Sequence, residues 1–293
     1  MWRLPPTFSV IVPFFNAAPY IRACVEGLLE QDFPAEEYEV LMVDNNSSDA
    51  SVAIVREYGR VRLLAEPAQG AYVARNRAAR AADGKYLAFT DPDCVVCHGW
   101  LSSFARAFDE ARVSVGLGIR RPAQEGTLLS RLADYENTKD RLVLQSDQKA
   151  AYYGFANNMA VRRDAFDRHG PFLERRRGGD TIFVRRLVDE GSCEEVVLVP
   201  SAEVRHLELA SVSAYFRKMF IYGRSRQLYR HLAATRPLSL DERLTIFRET
   251  AHGNHYSMAD RAQLISALGL GMAAWTLGSW TGAATALRPA MRG

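Results

Sequence analysis

Apolar runs of strand length alternate with helix-like stretches at short intervals through the first hundred residues, and the runs end in polar residues. Phe8-Ser9-Val10-Ile11-Val12-Pro13 reads as a buried strand stopped by Pro13, followed by the loop Phe14-Phe15-Asn16. A helix opens at Ala18-Pro19-Tyr20 and runs to about Glu30. Tyr38 to Val43 is a second strand that gives way to Asp44-Asn45-Asn46-Ser47-Ser48-Asp49 and then to a helix near 50–58. Val61-Arg62-Leu63-Leu64 is a short third strand. A helix after Gly70 carries Arg75, and the turn Asp83-Gly84 leads into Lys85-Tyr86-Leu87-Ala88-Phe89. This alternation predicts a mostly parallel sheet flanked by helices. Ligands of such sheets sit at the carboxyl ends of the strands, where the polar clusters at 13–16, 44–49 and 91–93 all fall.

The fourth strand ends in Thr90-Asp91-Pro92-Asp93-Cys94. Residues two apart in extended backbone point the same way, so both carboxylates can face one cation. Pro92 between them cannot donate to a ladder, which fits a strand end. A hard-metal site holding a diphosphate is the functional reading, and a solvated acidic turn the plain one. No G-x-G-x-x-G follows the first strand and no G-x-x-x-x-G-K-[ST] occurs, which disfavours dinucleotide dehydrogenases and P-loop enzymes. Phosphates would then need a divalent cation on Asp93, with Arg75 nearby.

Together these stretches resemble the family 2 glycosyltransferases of the GT-A fold. The resemblance rests on Val10-Ile11-Val12-Pro13-Phe14-Phe15-Asn16, Val43-Asp44-Asn45-Asn46-Ser47-Ser48-Asp49, Gly70-Ala71-Tyr72-Val73-Ala74-Arg75-Asn76 and Phe89-Thr90-Asp91-Pro92-Asp93. It covers roughly residues 8–230 in the expected order. It implies an inverting transfer of a sugar from a nucleoside diphosphate donor to a hydroxyl acceptor, with Mn2+ or Mg2+ as cofactor. Pro13, Phe15 and Asn16 would lie beside the nucleotide, with the Phe15 ring where a base stacks. Asp44 would bond the base or ribose, Arg75 would hold Asp44 or the nucleotide, Asp91 would face the ribose or sugar, and Asp93 the metal.

Further along, Trp100 to Phe108 has the spacing of a core-facing helix and Val113 to Ile119 that of a strand. The charged segment 125–150 lies where the family varies with acceptor. Gly154 to Arg163 resembles the acceptor-side strand, and Asp180 matches the acidic residue that takes the acceptor proton in the family. Asp180 also suits a helix cap, and Gly179 stands where many relatives carry Glu. Asp164 and Asp167 are the fallback bases. A helix over Ile182 to Val188 and a final strand over Cys193 to Pro200 follow, and His206 matches a histidine often found on the metal or diphosphate.

Cys94-Val95-Val96-Cys97-His98 has the spacing of a haem attachment site and half of a zinc site. No signal peptide supports the first and no second cysteine pair the second. Four scattered cysteines, and a start that lacks the apolar core of a signal peptide, predict a cytoplasmic chain without a disulfide framework. A net charge of +3 is too small to argue for nucleic acid, whereas arginines clustered at 175–177 and over 217–230 suit an anionic substrate or membrane surface.

The organisation expected is a catalytic domain over 1–210, with a nucleotide-sugar half to about 120 and an acceptor half beyond, then a helical region over 211–293. Ser211 to His231 reads as a basic amphipathic helix bearing Tyr215, Phe216 and Phe220, fit for an anionic membrane surface or a lipid-diphosphate acceptor. After a break at Arg236-Pro237 and a polar helix over 240–251, residues 262–287 carry no charge for 26 positions, between Arg261 and Arg288. This stretch admits a bilayer span, an interfacial or hairpin-packed segment, or a homodimer contact through Gly278-x-x-x-Gly282. The setting expected is bacterial polysaccharide, glycolipid or lipid-linked glycan synthesis at the cytoplasmic face of a membrane. A nucleotidyltransferase and a non-catalytic nucleotide-sugar-binding or membrane scaffold protein are the rival classes.

Overall fold

The structure, a computed structural model, describes residues 5–174, 177–207, 211–229 and 236–287. Arg175, Arg176, Arg230, Arg288 and Arg292 of the basic clusters and flanks lie outside the described residues. In chain order the elements are β1 (Phe8–Phe14), α1 (Ile21–Leu29), β2 (Tyr38–Asp44), α2 (Ser51–Val55), β3 (Val61–Ala65), α3 (Ala71–Ala81), β4 (Tyr86–Thr90) and β5 (Cys94–Val96). They continue with α4 (Trp100–Ala107), β6 (Val115–Pro122), α5 (Leu128–Leu144), β7 (Asn158–Arg162), α6 (Arg163–His169), α7 (Gly179–Glu190) and β8 (Val196–His206). Last come α8 (Val212–Tyr229), α9 (Leu240–Gly253) and α10 (Met258–Leu287).

The eight strands form one sheet in the order β3-β2-β1-β4-β7-β6-β8-β5. Its first four strands pair in parallel, as the strand–helix alternation predicts. Beyond β4 the ladders that join β4 to β7, β7 to β6 and β8 to β5 are antiparallel. Pro13 does not stop the first strand, which runs on to Phe14 with Pro13 opposite Val43. Phe8 N–H and Phe14 C=O both bond toward β2, so alternation turns Pro13 toward β4. Pairing with β4 ends at Ile11 opposite Phe89, so the missing N–H of Pro13 costs no ladder bond. The final strand begins later than expected, at Val196, and runs on through His206.

The chain divides into two compact units, Met1–Arg120 with Leu144–Leu207, and Arg121–Val143 with Glu208–Gly293. The core of the first packs α1 and α4 on the sheet through Ile21, Val25, Leu28, Trp100, Leu101 and Phe104. Most of the charged segment expected to belong to the acceptor half groups instead with the C-terminal helices. Leu132 and Tyr135 of α5 are buried in one cluster with Tyr215, Ile246, Leu264 and Ala267, so its helical apolar stripe is spent on helix partners.

Within the second unit α8 packs closely on α10. A Cβ added at Gly278 would strike the Phe220 carbonyl, and one at Gly282 would lie 2.6 Å from the Arg224 carbonyl. The G-x-x-x-G face is therefore filled by α8. Among the described residues no helix is long and apolar enough to cross a membrane.

Candidate active site

The site is built at the carboxyl ends of β2, β1 and β4, which are neighbours in that order. Asp44 lies opposite Phe14 at the end of β2, and Asp91 follows Thr90, the last residue of β4, on the other side of β1.

The loops after β1 and β2 are stitched together by side chains. Asn16, in a left-handed conformation (φ 48°), accepts Ser48 N–H at 2.8 Å, while its own N–H bonds the Ser47 hydroxyl at 3.0 Å. Ala17 N–H bonds Ser51 and Ala18 N–H bonds Asp49. The Ser51 hydroxyl in turn donates to Asp49 and holds that carboxyl below its ordinary range. Asp44 accepts Ser47 N–H at 2.9 Å. Buried Asn45 donates to the Glu66 and Ala68 carbonyls and accepts Gly70 N–H, tying β2 to the start of α3. With its backbone so fixed, Phe15 is left 51% exposed at the lip. Pro13 beneath it is buried.

Arg75 is buried on α3 and forms an ion pair with Asp91. Its guanidinium carbon lies 5.2 Å from the centre of the Tyr72 ring, one helical turn back on the same face. Arg75 therefore holds Asp91, whereas Asp44, one of the two partners the resemblance offers it, accepts the Ser47 amide. Tyr72 in turn lies beside the Asp180 carboxylate. Burial, and then the Asp180 charge, pushes the Tyr72 phenol well above its usual range.

Asp180 is the second residue of α7 and not its cap, which is Gly178 without a side-chain bond; its carboxylate accepts the neighbouring Thr181 N–H at 2.8 Å. Its other oxygen accepts Ala156 N–H at 3.0 Å from the segment before β7. Each oxygen keeps a lone pair for a further donor. Gly179 has a local reason: a Cβ there would lie 3.0 Å from the Tyr72 ring and 2.9 Å from the Leu173 carbonyl. The Tyr72 ring takes the room that a side chain at 179 would need. Asp164 and Asp167 are exposed on α6.

His206, at the end of β8, pairs directly with Cys94 on β5. Its Nδ1 lies 3.4 Å from Asp93 Oδ2, and Leu207 N–H fixes the Asp93 carbonyl at 2.8 Å. Carboxylate and imidazole converging in a mostly buried corner form a donor set that fits a divalent cation. The Cys94 sulfur joins them 3.8 Å from Asp93 Oδ1. Burial, then the charges of Asp93 and Asp91, pushes the Cys94 and Cys24 thiols up. In the haem-like run, His98 Nδ1 instead meets the Glu30 carbonyl, and the Cys97 sulfur bonds the Ser201 carbonyl at 3.4 Å.

The sheet and its covering helices thus define an α/β protein with carboxylates at the carboxyl ends of β2 and β4. The family model for glycosyl transferase family 2 matches residues 9–170, more than half of the sequence, and this chain belongs to that family. The match takes in Pro13, Phe15, Asn16, Asp44, Arg75, Asp91 and Asp93 and ends before Asp180 and His206. The glycosyltransferase AglE of Haloferax volcanii is 30% identical over 194 residues, which are 64% of this chain and 62% of that protein. A poly(ribitol-phosphate) beta-N-acetylglucosaminyltransferase, TarS of Staphylococcus aureus, is 36% identical over 35% of this chain and 19% of its own length. Measured against both relatives, the chain covers less than two thirds of their length.

The structure of the mannosyltransferase PcManGT from Pyrobaculum calidifontis, in complex with GDP-Man and Mn2+, superposes with a TM-score of 0.62 at 20% identity. It covers 98% of this chain and 80% of that one. TarS residues 1–349 in complex with UDP-GlcNAc superpose with a TM-score of 0.56 at 20% identity, covering 92% and 81% of the two chains. These likenesses establish the GT-A fold.

Proposed function

We propose that this chain is a metal-dependent glycosyltransferase that moves a sugar from a nucleoside diphosphate to an acceptor hydroxyl with inversion at the anomeric carbon. The observation that carries the reading is the placement of Asp44 at the end of β2 and of Asp91 and Asp93 just after β4, the two strands that flank β1, with His206 beside Asp93. Phe15 offers a flat exposed face to a base, and Asp44 an acceptor to the base or ribose. Asp91, oriented by Arg75, accepts from the ribose or sugar. Asp93 and His206 would hold Mn2+ or Mg2+, which when bound neutralises charge on a departing diphosphate. Asp180, aimed by the Ala156 and Thr181 amides, takes the acceptor proton as the new bond forms.

Several features of the second unit support an acceptor at a membrane surface, such as a lipid-linked glycan in polysaccharide or glycolipid synthesis. Ile265, Leu270, Met272, Leu277 and Trp280 of α10 are exposed on a helix without charge over 262–287, and Arg217 and Arg224 are exposed on α8. A cytoplasmic-face location fits that surface.

The test is thermal stabilisation by UDP and GDP with and without Mn2+. Stabilisation that needs Mn2+ and is lost in Asp93→Ala is expected, with the secondary structure of the variant intact. Asp180→Asn should keep donor binding and lose transfer; full transfer in that variant would remove Asp180 as the base.

A further inference from the structure

We propose that the Cys94 thiolate is a third, sulfur donor beside Asp93 and His206, which makes the site selective for thiophilic divalent ions such as Zn2+ and Co2+. The inference rests on the metal half of the reading above and extends it to a residue that reading does not use.

Asp93, Cys94 and His206 each place one donor atom within 4.8 Å of the other two. His206 Nδ1 lies 3.4 Å from Asp93 Oδ2, and the Cys94 sulfur lies 3.8 Å from Asp93 Oδ1. Donors that share one tetrahedral ion at metal–ligand distances of about 2.0–2.3 Å stand roughly 3.3–3.8 Å apart, so this spacing suits a common ion. The arrangement is set by backbone. Cys94 and His206 are directly opposed across the antiparallel β5–β8 ladder, and side chains of such a pair leave the sheet on the same face. Leu207 N–H on the Asp93 carbonyl brings the neighbouring carboxylate into the same corner.

Cys94 is fully buried, as structural cysteines often are. Its sulfur, however, faces the Asp93 carboxylate at the end of the sheet. Ligand softness then decides which ion uses it. Mg2+ and Mn2+ take oxygen and imidazole donors and leave sulfur aside, while Zn2+ and Co2+ bind thiolate strongly. As the metal–sulfur bond forms, the S–H bond breaks and its proton passes to buffer; no oxidant or reductant is needed. The consequence is competition: Zn2+ held through Cys94 occupies the place that Mn2+ or Mg2+ would take.

Co2+ titration of the full chain in a phosphine reductant tests this through the near-ultraviolet thiolate-to-cobalt charge-transfer band. The band should appear in the wild-type chain, vanish on addition of one equivalent of Zn2+, and persist in Mg2+. It should be lost in Cys94→Ser. It should survive in the triple variant Cys24→Ser, Cys97→Ser and Cys193→Ser, whose only thiol is Cys94. A band retained in Cys94→Ser, or absent from the triple variant, overturns the proposal. Mn2+-dependent binding of UDP and GDP by the same wild-type sample separates the two readings. Diphosphate binding without a cobalt–sulfur band sinks the sulfur donor and leaves the proposed function standing. A band without diphosphate binding does the reverse.

Discussion

Arg75 reaches from α3 to the end of β4, where its buried guanidinium closes an ion pair with Asp91 while lying against the Tyr72 ring. The pair is asymmetric: Asp91 keeps 31% of its side chain exposed, and the Arg75 side chain keeps 6%. Removing the arginine leaves a carboxylate that water still reaches, so the cost lies below that of breaking a fully buried pair. Arg75→Met should destabilise the chain by about 2 kcal/mol. Arg75→Lys should cost less, because it restores a charge without the planar fork or the ring contact. Urea unfolding of both variants measures this, and equal losses would show that packing, not charge, holds Asp91.

Gly179 and Tyr72 compete for one volume. A methyl group at 179 would sit 3.0 Å from the ring, so Gly179→Ala should cost about 1–3 kcal/mol through overpacking. Tyr72→Ala alone should also destabilise, by about 3 kcal/mol. In the double variant part of the first penalty disappears, because the ring that the methyl group met is gone. The Leu173 carbonyl stays in place, so relief is incomplete. A double-mutant cycle should give a coupling of about 0.5 kcal/mol or more, and strict additivity would refute the competition.

Asn158 is fully buried where three strands and a helix meet. Its carbonyl oxygen accepts the Trp100 indole N–H at 2.8 Å, and its amide donates to the Ile119 and Ala202 carbonyls at 2.8 and 2.9 Å. It also lies opposite Thr90, the residue before Asp91. Asn158→Leu strands one donor and two acceptors in a dry interior, where each lost partner costs about 1–3 kcal/mol. A loss of about 3 kcal/mol or more is expected, read by denaturant unfolding with tryptophan fluorescence. A near-neutral substitution would mean that water replaces all three bonds.

How far these features can be read from sequence depends on whether neighbours along the chain or across the sheet create them. The first four strands and the acidic strand ends were legible, because period, turn residues and polar punctuation are local signals. In the other half β6, β7 and β8 were legible as strands, but their antiparallel pairing was not, nor was β5, which is three residues long and whose partner β8 lies about a hundred residues on. Tyr72 stood in plain view three residues before Arg75, and helical spacing already put the two on one face. Its place beside Asp180 depends on α7, whose position no local pattern sets. Cys94 and Cys97 drew a metal reading from their mutual spacing, whereas the fold joins Cys94 to His206, far away in sequence. The fate of Gly278 and Gly282 was likewise open until α8 was seen to fill their face.

Ser239 and Glu242 form a capping box at the start of α9, each side chain bonded to the other's backbone N–H. Arg236, and then Ser239 N–H, hold the Glu242 carboxyl down at about 2, from an ordinary value of 4.5. A carboxyl depressed in the folded state stabilises fully above its unfolded value and loses that contribution as pH falls toward the folded one. The group is about a third exposed, so solvent screening keeps the effect near the size of an ordinary cap, about 1 kcal/mol or less. Glu242→Gln should therefore lower the thermal midpoint by a roughly constant amount above about pH 5, and the gap should narrow as pH falls below about 4.5. Circular dichroism melts of both chains from neutral pH to about pH 3 check the sign. A gap that widens on acidification would show that the Arg236–Glu242 contact does not stabilise α9 through its charge.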